Sequence, residues 1–158
     1  MIIVVAAFIY IPSLGHKPAS NFVYLTSNYI YTAQEEYSVQ SGHITYTPPN
    51  SNAPVVYPQS SGMNMAKFYL YDVSKNTSTQ LTFTEAQSYN LDPSVTSSDG
   101  YSIEQGSGGD GGGSLFVSNV VDYNDWFIKG HNRSWKLNIS VSNMAYDGNN
   151  FMFLGWVQ

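Results

Sequence analysis

The chain has 158 residues, six Lys and Arg against 11 Asp and Glu, a formal net charge of −5, and no cysteine. That length suits one domain; so few cations exclude a phosphate-backbone binder, so no nucleic acid is expected as partner. The missing thiols exclude a disulfide framework, a thiolate nucleophile and a zinc ribbon. Charged residues are only 11% and aromatics 15%, with 13 Tyr, 21 Ser and 14 Asn, so neutral hydrogen-bonding groups solubilise the surface and apolar content is too high for disorder.

Residues 1–11, opening at Met1 and ending at Ile11, are apolar and carry no charge before Lys17. As a helix they span about 16 Å, short of the roughly 30 Å hydrocarbon core. A positive n-region and a well-placed small-x-small cleavage site are both missing from a signal-peptide reading. Three readings stay open: the end of a membrane anchor, a buried or donated β-strand, and an atypical export signal. Pro12, Gly15 and Pro18 punctuate residues 12–20 as a linker, giving an anchor-like or signal-like segment over residues 1–20 and one all-β domain over 21–158. The expected location is extracytoplasmic, at the cell envelope or surface.

No helical period is evident past residue 20. Period 2 recurs instead. Phe68 and Leu70 alternate with Tyr69, Tyr71 and Val73, and Trp135, Leu137, Ile139 and Val141 alternate with polar residues, as strands do. Residues 151–157 are apolar on both faces, Phe151, Phe153 and Val157 against Met152, Leu154 and Trp156, which predicts a doubly covered strand. Gly130-His131-Asn132 reads as a hairpin connection with Gly supplying positive φ, and Asp99-Gly100 and Asp147-Gly148 read as turns. Residues 48–65, with Pro48, Pro49, Pro54 and Pro58, form a long loop in which Val55-Val56-Tyr57 is at most an edge strand. Residues 106–113 hold six Gly and lack the Lys-Ser/Thr of a phosphate loop.

The two Asp-Gly turns lie 48 residues apart, 147 minus 99, about one four-stranded propeller blade. Upstream of the first turn and ending on it, Phe68 to Val73 leads through a turn into Gln80-Leu81-Thr82, then Pro93, then Ser98-Asp99-Gly100. Over residues 68–157 this order resembles the TolB-type, WD40-like propeller repeat. Leu81, Thr82, Pro93, Asp99, Gly100, Asp147 and Gly148 stand at its motif positions. Ser98 and Tyr146 replace the family's Pro, and Val95 stands nearest to its Trp. The resemblance implies antiparallel four-stranded blade-like sheets, a partial β-propeller or one completed by oligomerisation. A β-sandwich, whose turns arise from hairpin chemistry alone, is the alternative. Two units are too few to close a propeller by themselves, which leaves open edges and implies self-association or a protein partner.

Catalytic and metal constellations are not legible. His16, His43 and His131 lack ligand spacing, Glu35 and Glu36 point to opposite faces of a strand, and Glu85 and Glu104 are an unsupported carboxylate pair. Asp110, Asp122 and Asp125 lack calcium-loop spacing. No cofactor is implied. Tyr24, Tyr29, Tyr31, Tyr46, Tyr57 and Tyr89 join Tyr69, Tyr71 and Tyr101 as more rings than one core of this size should hide, so binding is expected through Tyr69, Tyr71 and Tyr101. Trp126 and Trp135 are candidates for stacking on a glycan, or for a cross-strand pair that holds their hairpin. The expectation is a non-catalytic scaffold or protein-interaction module. A self-assembling subunit of a surface filament or layer, and a glycan-binding module, are the alternatives.

Overall fold

The computed structural model describes residues 17–27, 36–48, 66–106, 125–139 and 151–158. The run 1–11, Val55-Val56-Tyr57, Asp147-Gly148 and most of the Gly-rich stretch lie outside the described residues. Those described form antiparallel β-sheets with one short helix, and all-β is the class.

The described residues hold ten strands: β1 (Phe22–Thr26), β2 (Tyr37–Gln40), β3 (His43–Tyr46), β4 (Lys67–Asp72), β5 (Thr77–Leu81), β6 (Leu91–Asp92), β7 (Ser102–Gln105), β8 (Trp126–Gly130), β9 (Arg133–Lys136) and β10 (Phe151–Val157). Helix α1 (Phe83–Gln87) follows β5. A five-stranded sheet runs β5-β4-β1-β10-β6, a hairpin pairs β2 with β3, and a three-stranded sheet runs β7-β8-β9. Among the described residues no sheet is a regular four-stranded meander, and no propeller is identified.

β1 sits at the middle of the large sheet because both its faces are apolar. Phe22 and Tyr24 enter one core with Tyr69, Tyr71, Tyr101, Ile128, Phe151 and Trp156. Val23 and Leu25 enter a second with Ile44, Phe68, Ala86, Leu91 and Leu154. The three-stranded sheet thus covers one face of the large sheet, and the β2–β3 hairpin with α1 covers the other. The alternation of β4 splits in the same way, Tyr69 and Tyr71 to the first core and Phe68 with Leu70 to the second. Each such fully buried side chain contributes about 1.5–3 kcal/mol of transfer free energy.

Three local expectations are corrected. In β10 the faces are Phe151, Phe153 and Trp156 against Met152, Leu154 and Val157. Val23 pairs with Gly155 and Tyr24 with Phe153, so Leu154 is an extra residue, and a bulge of one residue inverts the alternation beyond it. At the β8–β9 turn, His131 (φ 51°) and Asn132 (φ 59°) take the left-handed conformation, and Gly130 does not; a two-residue type I′ connection needs positive φ at both central positions. Finally, α1 is a helix where none was expected. Thr82 caps it, accepting from Glu85 N at 3.2 Å while Glu85 Oε2 accepts from Thr82 N at 2.7 Å, a reciprocal capping box.

Candidate interaction surface

Two cores rather than one explain where the aromatic rings go. Tyr24 and Tyr71 are 0% exposed and Tyr101 only 3%. Tyr69 stacks on Tyr24 at 5.1 Å between ring centroids, and Phe22 stacks on Tyr71 at 4.8 Å. The rings of Tyr69, Tyr71 and Tyr101 are therefore core and offer no stacking face to a partner. Burial raises the Tyr71 hydroxyl above the usual phenol pKa, partly offset by the Asn138 N–H that donates to it. That bond is 3.0 Å; the Tyr71 hydroxyl in turn donates to Asn76 Oδ1, tying the chain after β9 to the β4–β5 turn. Burial also raises Tyr101, with the Asp99 charge adding to it and Arg133 opposing it.

Trp126 and Trp135 are half-buried against the first core. Trp126 lies 4.2 Å from Phe151 and Trp135 5.8 Å from Tyr101, measured between ring centroids. Leu137, not Trp135, bonds across to Trp126, its N–H donating to Trp126 O at 2.8 Å.

The Asp99-Gly100 turn is a built local structure. Gly100 has φ 84°, a conformation that disfavours any residue with a Cβ. Asp99 Oδ1 accepts from Ser97 Oγ at 2.6 Å and Oδ2 from Ala19 N at 2.8 Å. His131 Nε2 donates to Asp99 O at 2.8 Å, since a carbonyl can only accept. Burial works to raise the Asp99 carboxyl, but these hydrogen bonds and nearby His131 outweigh it and hold the group below the usual carboxylate value. The turn thus fastens the segment before β1 to the β8–β9 tip. Lys17 Nζ also reaches Val73 O and Ser74 O, both at 3.4 Å, so residues 17–20 are fastened to the body rather than acting as a free linker.

The remaining sequence candidates fall into structural duties. Leu81 ends β5 and Thr82 caps α1; Pro93 follows β6, exposed. Glu104 pairs with Lys129 at 3.0 Å and Asp125 with Lys136 at 2.6 Å. His43 Nδ1 lies 3.2 Å from the carbonyls of Gln87 and Tyr89. His16, Glu35, Asp110 and Asp122 lie outside the described residues. Among the described residues no cluster of three or more His, Cys, Asp or Glu could hold a metal, and no helix is long and apolar enough to cross a membrane. A cavity of about 10 Å³ beside Lys17, Asn76 and Trp135 has room for a single water.

The outward features are strand edges. β5 borders the large sheet and β9 the small one. The β7 edge is partly closed, because Thr96 bridges to Ser102. The β3 edge is partly closed too, since Gln87 Nε2 donates to Ile44 O at 3.0 Å and Leu91 N to Gly42 O at 2.7 Å. β1 carries no alternation that would announce it in the sequence; its one signal is Phe22 to Leu25, an unbroken apolar run between polar residues. Comparison of the chain with protein-family models, with curated proteins and with solved structures finds no match.

Proposed function

We propose that the protein is a non-catalytic, extracytoplasmic scaffold or protein-interaction module built from two degenerate TolB-like blade units. The observation that carries this reading is the pairing of two antiparallel units face to face, with β5 and β9 lacking an outer strand among the described residues. The five-stranded sheet β5-β4-β1-β10-β6 makes one unit. Thr96, through its bridge to Ser102, precedes β7, β8 and β9 in the other, and aromatic side chains fill the space between them. Blades of a propeller pack in this manner, and an unclosed pair leaves backbone donors and acceptors at its rims. The apolar residues 1–11 support the outer location, and the Ser/Asn-rich, thiol-free composition is compatible with it without requiring it.

Protease added to intact cells that make the full chain, followed by cross-linking on the same cells, tests the reading. The expected result is cleavage without lysis and one discrete cross-linked species. Protection until the cells are lysed, or a chain that cross-links to nothing, overturns it.

A further inference from the structure

The rims of the sheets are not equivalent. β9 carries Arg133 and Lys136 within four residues, so two copies pairing there would set cation against cation. β6 has two residues, too few for a ladder. β7 bears Glu104 and is bridged at its start by Thr96. β3 is occupied by Gln87 at Ile44 O, and the turn before it by Leu91 at Gly42 O. β2 has four residues and begins beside Glu36. β5 is different: Thr77-Ser78-Thr79-Gln80-Leu81 has five residues, no charge and no proline, and only β4 pairs with it among the described residues. Natural edges are usually guarded by Lys, Pro or a bulge, and none of these guards β5.

We propose that β5 is a self-pairing edge, through which a second copy of this chain adds antiparallel to the five-stranded sheet. This deepens the reading of the chain as an interaction module and rests on it. With the two-fold axis at Thr79, Thr77 faces Leu81 of the partner subunit and Ser78 faces Gln80 of the partner subunit, so like charge meets like charge nowhere along the ladder. The same register brings the β4–β5 turn, where Lys75 is ion-paired with Asp72 at 2.7 Å and its side chain is 75% exposed, toward the partner subunit's end that carries α1, so the cation there meets the partner already neutralised by its own carboxylate. The contact is isologous and closes at two copies. Exposed polar side chains at Thr77, Thr79 and Gln80 make backbone hydrogen bonds its main attraction, as in strand addition generally.

The chain has no cysteine, so Thr79→Cys in the full chain introduces a single thiol. Sedimentation of the unaltered full chain is expected to give a monomer–dimer equilibrium that stops at two copies. Under oxidation Thr79→Cys gives a covalent dimer. Thr77→Cys does not, because the equivalent positions would be roughly 13 Å apart along the strands. Thr79→Lys weakens the dimer at least tenfold while leaving the circular dichroism spectrum and melting midpoint unchanged. A chain that stays monomeric at about 1 mM, or a dimer indifferent to Thr79→Lys with no Thr79→Cys bridge, overturns the proposal. If such a chain still gives a discrete cross-linked species with another protein on cells, the module reading stands and only the β5 contact falls.

Discussion

Gly130 lies directly against the ring of Tyr101. A Cβ at Gly130 would stand 2.4 Å from Tyr101 Cδ1 and 2.8 Å from Gly100 O. In an open strand, replacing Gly with Ala usually stabilises by relieving backbone entropy, by roughly 0.5–1 kcal/mol. Here the added methyl meets backbone on one side and a ring that is 3% exposed on the other, so the sign reverses. Gly130→Ala is expected to destabilise by about 1–3 kcal/mol. Urea unfolding checks it, and a variant as stable as the parent would mean that Tyr101 moves aside freely.

Trp156 is 2% exposed and its Nε1 has no acceptor among the described residues. An orphaned buried donor costs about 1–3 kcal/mol, which offsets part of what the indole contributes by packing on Phe22 at 5.6 Å and Phe153 at 5.4 Å. Trp156→Phe keeps an aromatic ring and deletes the orphan, so it should change stability by less than about 1 kcal/mol. Trp156→Ala leaves a cavity and should cost about 3–5 kcal/mol. Thermal unfolding of both variants decides; equal losses would show that the indole N–H is not a burden.

Thr82→Ala removes one arm of the capping box and should cost about 1 kcal/mol, while Thr82→Ser should cost little. The melting midpoints of the two variants test this. Equal losses would assign the effect to the β-branched methyl instead of the hydroxyl. The sequence resemblance counts Thr82 among its motif positions, whereas in the fold Thr82 starts a helix.

Thr82 also marks where sequence is legible and where it is not. Alternation in β4 is readable because both its faces meet a core, so each side chain carries a burial signal. The Thr-x-x-Glu signature of α1 is present, but five residues are too few for a 3.6-residue period to emerge. The flip at Leu154 is invisible locally, since residues 151–157 are apolar on both faces and a bulge leaves no compositional trace there. The tyrosines look surplus only if the domain has one core. A sheet covered on both faces has two, and the covering layers come from segments far along the chain. The candidate surface is legible only as neutral composition. Which edge stays open depends on Thr96, Gln87 and Leu91, contacts that no spacing announces.

The acid limb of stability comes from the carboxylates. Asp72 is held low by hydrogen bonds from Lys75 and Ser74, Glu85 by those from Thr82, Asp92 by those from Ser94, and Glu104 by hydrogen bonds from Lys129 and Ser102. Asp99 is held low against burial by Ser97 and Ala19. A depressed folded value means that the folded state binds protons less readily than the unfolded one. The stability from these groups is therefore complete above the ordinary carboxylate pKa of about 4 and is lost as pH falls through their lower folded values. Tyr37, Tyr71 and Tyr101 are raised, chiefly by burial, so their share is complete below about pH 10 and is lost as pH climbs through their higher folded values. The melting midpoint should be flat from about pH 5 to 8 and decline below about pH 4 and above about pH 10. Asp99→Asn loses one charge-assisted acceptor and should cost about 1 kcal/mol at pH 7. At about pH 3 the parent is itself losing that contribution, so the gap between variant and parent should narrow. Thermal melts at the two pH values measure it; a gap of the same size at both would mean that the Asp99 charge does not hold the turn to Ala19 and Ser97.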